Sequence, residues 1–72
     1  MAQLTHRQYD ALERAIVTGQ RIAVYRRGTE YMVVPTRLQV TTGRETLHAL
    51  HPTTGEPITL FVDELESIEV VG

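Results

Sequence analysis

The sequence predicts a mainly β domain of the α+β class: one N-terminal amphipathic helix followed by a five-stranded, strongly bent small barrel. Three observations predict it. Apolar residues recur at helical spacing up to Thr18, they alternate with polar ones from Arg21 onward, and glycine turns divide the alternating stretch at nearly even intervals. The chain has 72 residues, enough for one domain over 1–72. A domain of that size buries only roughly 60% of the surface its unfolded chain exposes. Five short strands in so few residues are expected to curl until the sheet is closed or nearly closed on itself, which hides its edges.

The helix is expected from about His6 to Thr18. Thr5-His6-Arg7-Gln8 fits a capping box, with Leu4 and Tyr9 at the two staple positions. Tyr9, Leu12 and Ile16 share one face, Ala15 and Val17 lie near its edge, and Asp10 and Arg14 are spaced to pair on the wet side. Gly19 is the natural stop.

Between 21 and 71 the strands follow in order. Ile22 and Val24 oppose Ala23 and Tyr25 in the first; the chain turns near Arg27-Gly28; Tyr31, Val33 and Pro35 oppose Met32 and Val34 in the second. Pro35 cannot donate to a ladder, so it belongs at an edge or a bulge as the strand continues to Leu38 and Val40. Thr41-Thr42-Gly43-Arg44 turns into a third strand, Thr46 to Leu50, ended by His51-Pro52. Ile58, Leu60 and Val62 alternate with Thr59 and Phe61 in the fourth, and Asp63 to Glu66 reads as one tight turn before the fifth, Ser67 to Val71. One parity supplies the interior: Ile22, Val24, Val33, Leu38, Leu47, Ile58, Leu60, Val62, Ile68 and Val70. Tyr25 and Phe61 fall on the other face, beneath the helix or as stacking platforms.

The charge is unevenly spread. All seven cations are arginines at or before Arg44, where three acids leave a balance of +4, and from Glu45 onward six acids and no base give −6. Such polarity favours a protein that docks over one that processes a substrate. Arg26, Arg27, Arg37 and Arg44, with Tyr25 among them, are the candidate contacts for a nucleic acid or ligand, whereas Asp63, Glu64, Glu66 and Glu69 are the candidate protein-docking surface. The net charge of −2 argues against strong nucleic-acid binding. His48 and His51, three apart on a strand, point to opposite faces and do not chelate one ion. Ser67, Thr41 and Thr42 have no base placed to activate them, so no enzyme, metal or cofactor is expected. The absence of cysteine fits a reducing, cytoplasmic setting. The opening residues, Met1 to Arg7, have neither the apolar run of a signal peptide nor the length of a membrane span.

The order of elements resembles the Sm-like small barrel. Within it, Tyr25-Arg26, Val34-Pro35-Thr36-Arg37-Leu38, Gly43-Arg44-Glu45-Thr46-Leu47 and the run Leu60 to Ile68 resemble the WYL domain across Arg21–Val71. Glu45-Thr46-Leu47 stands where that family has Trp-Tyr-Leu, and Glu64 where it carries an arginine. The resemblance implies a ligand-sensing or nucleic-acid-sensing module of transcription regulators. The helix run Tyr9 to Ala15 is similar to the opening helix of Rof-like inhibitors of the termination factor Rho, which implies a small acidic barrel that binds a protein. Together these imply a non-enzymatic module of bacterial or phage regulation, with a protein partner favoured, nucleic-acid contact weak and no membrane. The alternatives are a homo-oligomer formed through strand edges, as in Sm-like barrels, and a small-molecule sensor.

Overall fold

A computed structural model describes residues 4–71; the first three residues of the opening segment read above, and Gly72, lie outside them. Its order is α1 (His6–Thr18), β1 (Arg21–Arg26), β2 (Thr29–Thr41), β3 (Arg44–Leu50), β4 (Pro57–Phe61), a 3₁₀ turn (Val62–Glu64) and β5 (Ser67–Val71). The class is the expected one, a helix followed by a five-stranded antiparallel sheet.

The helix begins and ends where its caps dictate. Gln8 N–H donates to Thr5 Oγ1 at 3.2 Å, and Thr5 N–H donates to Gln8 Oε1 at 2.9 Å, which completes the capping box. At the other end Gly19 takes a left-handed φ of 73° and donates to the Ala15 carbonyl at 2.8 Å, a conformation that favours glycine. Leu12 and Ala15 are fully buried, with Tyr9 and Ile16 packed beside them. Val17, expected near the apolar edge, is instead 85% exposed, because the sheet lies on the Leu12 side. The Asp10–Arg14 pair is not formed; such exposed pairs gain little.

Both long hairpins turn on two left-handed residues. Arg27-Gly28 joins β1 to β2 with φ of 52° and 76°, and Thr42-Gly43 joins β2 to β3 with φ of 48° and 80°. Two-residue turns of this hand match the twist of the strands they join. They fix the registers that the rest of the sheet inherits, Ile22 opposite Val33 and Leu38 opposite Leu47.

Strand β2 is the spine. Its first part pairs with β1 and its second part with β3, and the register shifts between Pro35 and Arg37. The bulge stands where proline lacks its donor, and it bends the strand so that one sheet can wrap a core. The strand order is β4-β3-β2-β1-β5. Among the described residues no ladder joins β4 to β5, so the expected closure is not made by strand pairing. Helix α1 covers the open inner side instead, packing on β2 and β5 and less on β1.

All the predicted interior residues face the core. Ile22, Val24, Val33, Leu47, Leu60, Val62 and Ile68 are buried, while Leu38, Ile58 and Val70 are partly buried against them. Val62 keeps its inward position although it opens the 3₁₀ turn rather than ending β4. Leu65, assigned by sequence to the turn alone, is fully buried and anchors that turn from below. Because α1 sits on the Ile22/Val24 side, neither Tyr25 nor Phe61 lies beneath it, and Phe61 is 37% exposed.

Candidate functional site

The charged residues meet at the rim where the 3₁₀ turn follows β4. Thr46 of β3 lies opposite Phe61 of β4. Arg44, two residues earlier on β3, is therefore a diagonal neighbour of that ring, within reach of a long side chain. Its guanidinium carbon stands 3.6 Å from the Phe61 ring centre. The 3₁₀ turn then folds the next two carboxylates back over the same arginine. Arg44 Nε and Nη2 donate to the two oxygens of Asp63 at 3.1 and 2.8 Å, the forked geometry that a guanidinium makes best.

Glu64 bridges to the neighbouring hairpin. Its carboxylate lies 3.6 Å from Arg44 and 3.7 Å from Arg26. Arg26 repeats the diagonal relation seen at Arg44: Val24 pairs with Tyr31, and the Arg26 guanidinium two residues on sits 5.3 Å from the Tyr31 ring. Hydrogen bonding from Arg44 holds the Asp63 carboxyl below the usual carboxylate range, and the same bond to Asp63 raises Arg44 above its ordinary value. The polarity along the sequence thus does not separate into two lobes, because hairpin register places the arginines of β1 and β3 beside the acids of the turn.

The other candidates lie outside this network. Tyr25 OH donates to Glu30 at 2.9 Å, a bond that pushes the phenol above its ordinary pKa. Arg27 is exposed at a hairpin tip. Arg37 is on the outer face of β2 opposite His48, and Gln39 Oε1 accepts from both, Arg37 Nη2 at 3.1 Å and His48 Nε2 at 3.0 Å. Glu66 accepts weakly from Gly28 N–H at 3.4 Å, and Glu69 is exposed on β5 opposite Ala23. Of the five arginine-region candidates, the fold brings Arg26 and Arg44 together and leaves Tyr25, Arg27 and Arg37 apart. Of the four acids, it ties Asp63 and Glu64 to arginine and leaves Glu66 and Glu69 facing outward. No group of three or more His, Cys, Asp or Glu side chains suited to a metal ion exists among the described residues, and none of their helices is long and apolar enough to cross a membrane.

Two contacts escape a reading by composition. Tyr31 under Arg26 is one; its signal is the two-residue turn at Arg27-Gly28, which fixes the diagonal. Tyr9 is the other: its hydroxyl donates to Glu45 at 2.6 Å and so joins the helix to β3. That bond, then partial burial and the nearby negative charge, push the Tyr9 phenol up to about 12.

No protein-family profile matches the chain, and no curated protein matches it by sequence. Among solved structures, the fold is similar to proteasome accessory factor B/C (PafBC) of Arthrobacter aurescens, with a TM-score of 0.76 and 22% sequence identity over 100% of this chain. The chain spans 13% of the length of that protein. At this identity the likeness is one of fold.

Proposed function

We propose that this chain is a non-enzymatic, WYL-like interaction module of bacterial or phage regulation, acting in the cytoplasm without a cofactor by docking a protein partner. The observation that carries the reading is the unequal fate of the charges. Arg26 and Arg44 are neutralised by Asp63 and Glu64, and Arg37 lies on a different part of the sheet, so the arginines do not form one continuous phosphate-binding stripe. Glu66 and Glu69 remain exposed, available to a basic surface. The whole-chain fold match to a segment of PafBC supports a WYL-like rather than a Rof-like descent.

The test compares capture of proteins from a bacterial lysate by the wild type and by the double variant Glu66→Arg/Glu69→Arg, beside titrations with single-stranded RNA and DNA over a range of salt. The expected result is a protein captured by the wild type and lost in the double variant, with unchanged melting and no tight nucleic-acid binding. Micromolar or tighter, salt-sensitive binding of nucleic acid would move the function to the arginines. A second reading, a homo-oligomer, is favoured by the edges of β4 and β5, which pair with no further strand among the described residues. Sedimentation as a monomer at both low and high salt removes it.

A further inference from the structure

The two free edges of the sheet are not equivalent. Strand β4 opens on Pro57, which has no N–H to offer, and runs straight into the 3₁₀ turn; its outer face ends in Phe61 with Arg44 stacked over it. A proline at the edge is one way in which natural strands resist pairing. Strand β5 has no proline, no glycine and no cation, and its register with β1 runs unbroken from Ser67 to Val71. Its inner residues, Ile68 and Val70, are held in the core. The backbone of β5 is thus held in register while alternate N–H and C=O groups point away from β1, with no strand paired to them among the described residues.

Charge makes this edge selective. Glu69 is the one ionisable group on β5, exposed on the outer face, and its cross-strand neighbour is Ala23, which offers it no partner. Glu66 stands just before the strand, its N–H donating to the Tyr25 carbonyl at 2.7 Å and its exposed carboxylate making only the long contact to Gly28 N–H. Exposed Val71 adds an apolar contact at the far end.

We propose that the β5 edge takes up an extended basic peptide as a sixth strand, with a cationic side chain on the outer face beside Glu69 and β-branched ones on the inner face beside Val70. Main-chain hydrogen bonds supply affinity in this mode and alternate side chains supply selectivity. A second copy of the chain fits less well. Two-fold pairing of β5 with itself about Glu69 sets like charges opposite each other, and β4 of another copy, Pro57–Phe61, brings no cation. The proposal rests on the protein-docking reading and names how the partner is held.

The test titrates the isotope-labelled full chain with a short synthetic peptide of alternating lysine and valine, the same peptide N-methylated on the edge-facing amides, and an alternating glutamate and valine peptide. The expected result is backbone amide shifts concentrated at 67–71 with the lysine peptide alone, and affinity about five- to tenfold weaker in Glu69→Lys at unchanged melting. Absence of binding, shifts centred on Arg26 and Arg44, or indifference to N-methylation and to Glu69→Lys would overturn it. Shifts at β5 that grow with protein concentration alone would assign the edge to a second copy and overturn it equally. If lysate capture depends on Glu66 and Glu69 while the peptide fails to bind, the docking reading stands and the edge proposal falls. If the peptide binds and capture fails, the reverse holds.

Discussion

The region beneath the helix and the charged rim at the 3₁₀ turn are built from the same strands by opposite means. Under α1, Leu12 and Ala15 meet Ile22, Val24 and Val33 with all five side chains removed from water. At the rim, Arg26, Arg44, Asp63 and Glu64 satisfy one another while staying largely wet. Burial of apolar area supplies most of the free energy of a small domain, whereas exposed ion pairs contribute little and mainly fix geometry. The contrast therefore teaches a division of labour: the helix side holds the fold and the rim arranges which charges are left facing solvent.

The sharpest way to break that comparison is at Leu12. It is fully buried at the centre of the helix face, and Leu12→Ala removes most of a core side chain that the surrounding strands do not collapse to replace. The expected loss is on the order of 2–3 kcal/mol, a large share of the stability of so small a domain. Chemical denaturation of the variant measures it. An unchanged midpoint would mean that the helix rests on the sheet without helping to hold it.

A smaller effect is expected at the polar end of the same helix. Tyr9→Phe deletes the hydroxyl that donates to Glu45, a loss of about 1 kcal/mol for a single hydrogen bond to a charged acceptor in a half-exposed site. The pH dependence is more telling. The folded phenol keeps its proton up to about 12, whereas an unfolded tyrosine releases it near 10. The contribution is therefore complete below the unfolded value and is lost as pH rises from there through the folded one. Tyr25 shifts in the same direction, so the measurement is the difference between wild type and Tyr9→Phe. Melting of the wild type should fall more steeply over that alkaline window, and parallel curves would show that Tyr9 does not fasten the helix.

How much of this was legible depends on whether local chemistry or register decides the residue. The helix limits follow from Thr5, Gln8 and Gly19, and the interior of β1 and β2 from strict alternation, because caps and parity act over a few residues. The bulge follows from Pro35, whose missing donor has one comfortable place. Leu65 was missed because three acids around it mask a single apolar residue in a turn that has no period. The rim was missed for a different reason. The Arg44–Asp63 contact spans 19 positions, and opposite charges far apart in sequence read as separate lobes until the two-residue turns set the diagonals. Placing Tyr25 and Phe61 beneath the helix failed because sequence pattern names two faces of a sheet without saying which one the helix covers.

The smallest effect is expected at the rim itself. Asp63→Asn keeps the shape of the side chain and removes the charge that Arg44 grips from two nitrogens. Since both groups stand in solvent, neutral-pH melting should change less than for Tyr9→Phe. Asp63 is held below the usual carboxylate range by Arg44, so its contribution is present above the unfolded carboxyl value and disappears as pH falls through the lower, folded one. The wild type should therefore lose stability on acidification somewhat faster than Asp63→Asn, and added salt should narrow the gap by screening. A loss at neutral pH as large as that of Leu12→Ala would merge the two regions into one structural unit. Equal acid limbs at low salt would instead show that Arg44 is positioned by its stack on Phe61, with the carboxylate following.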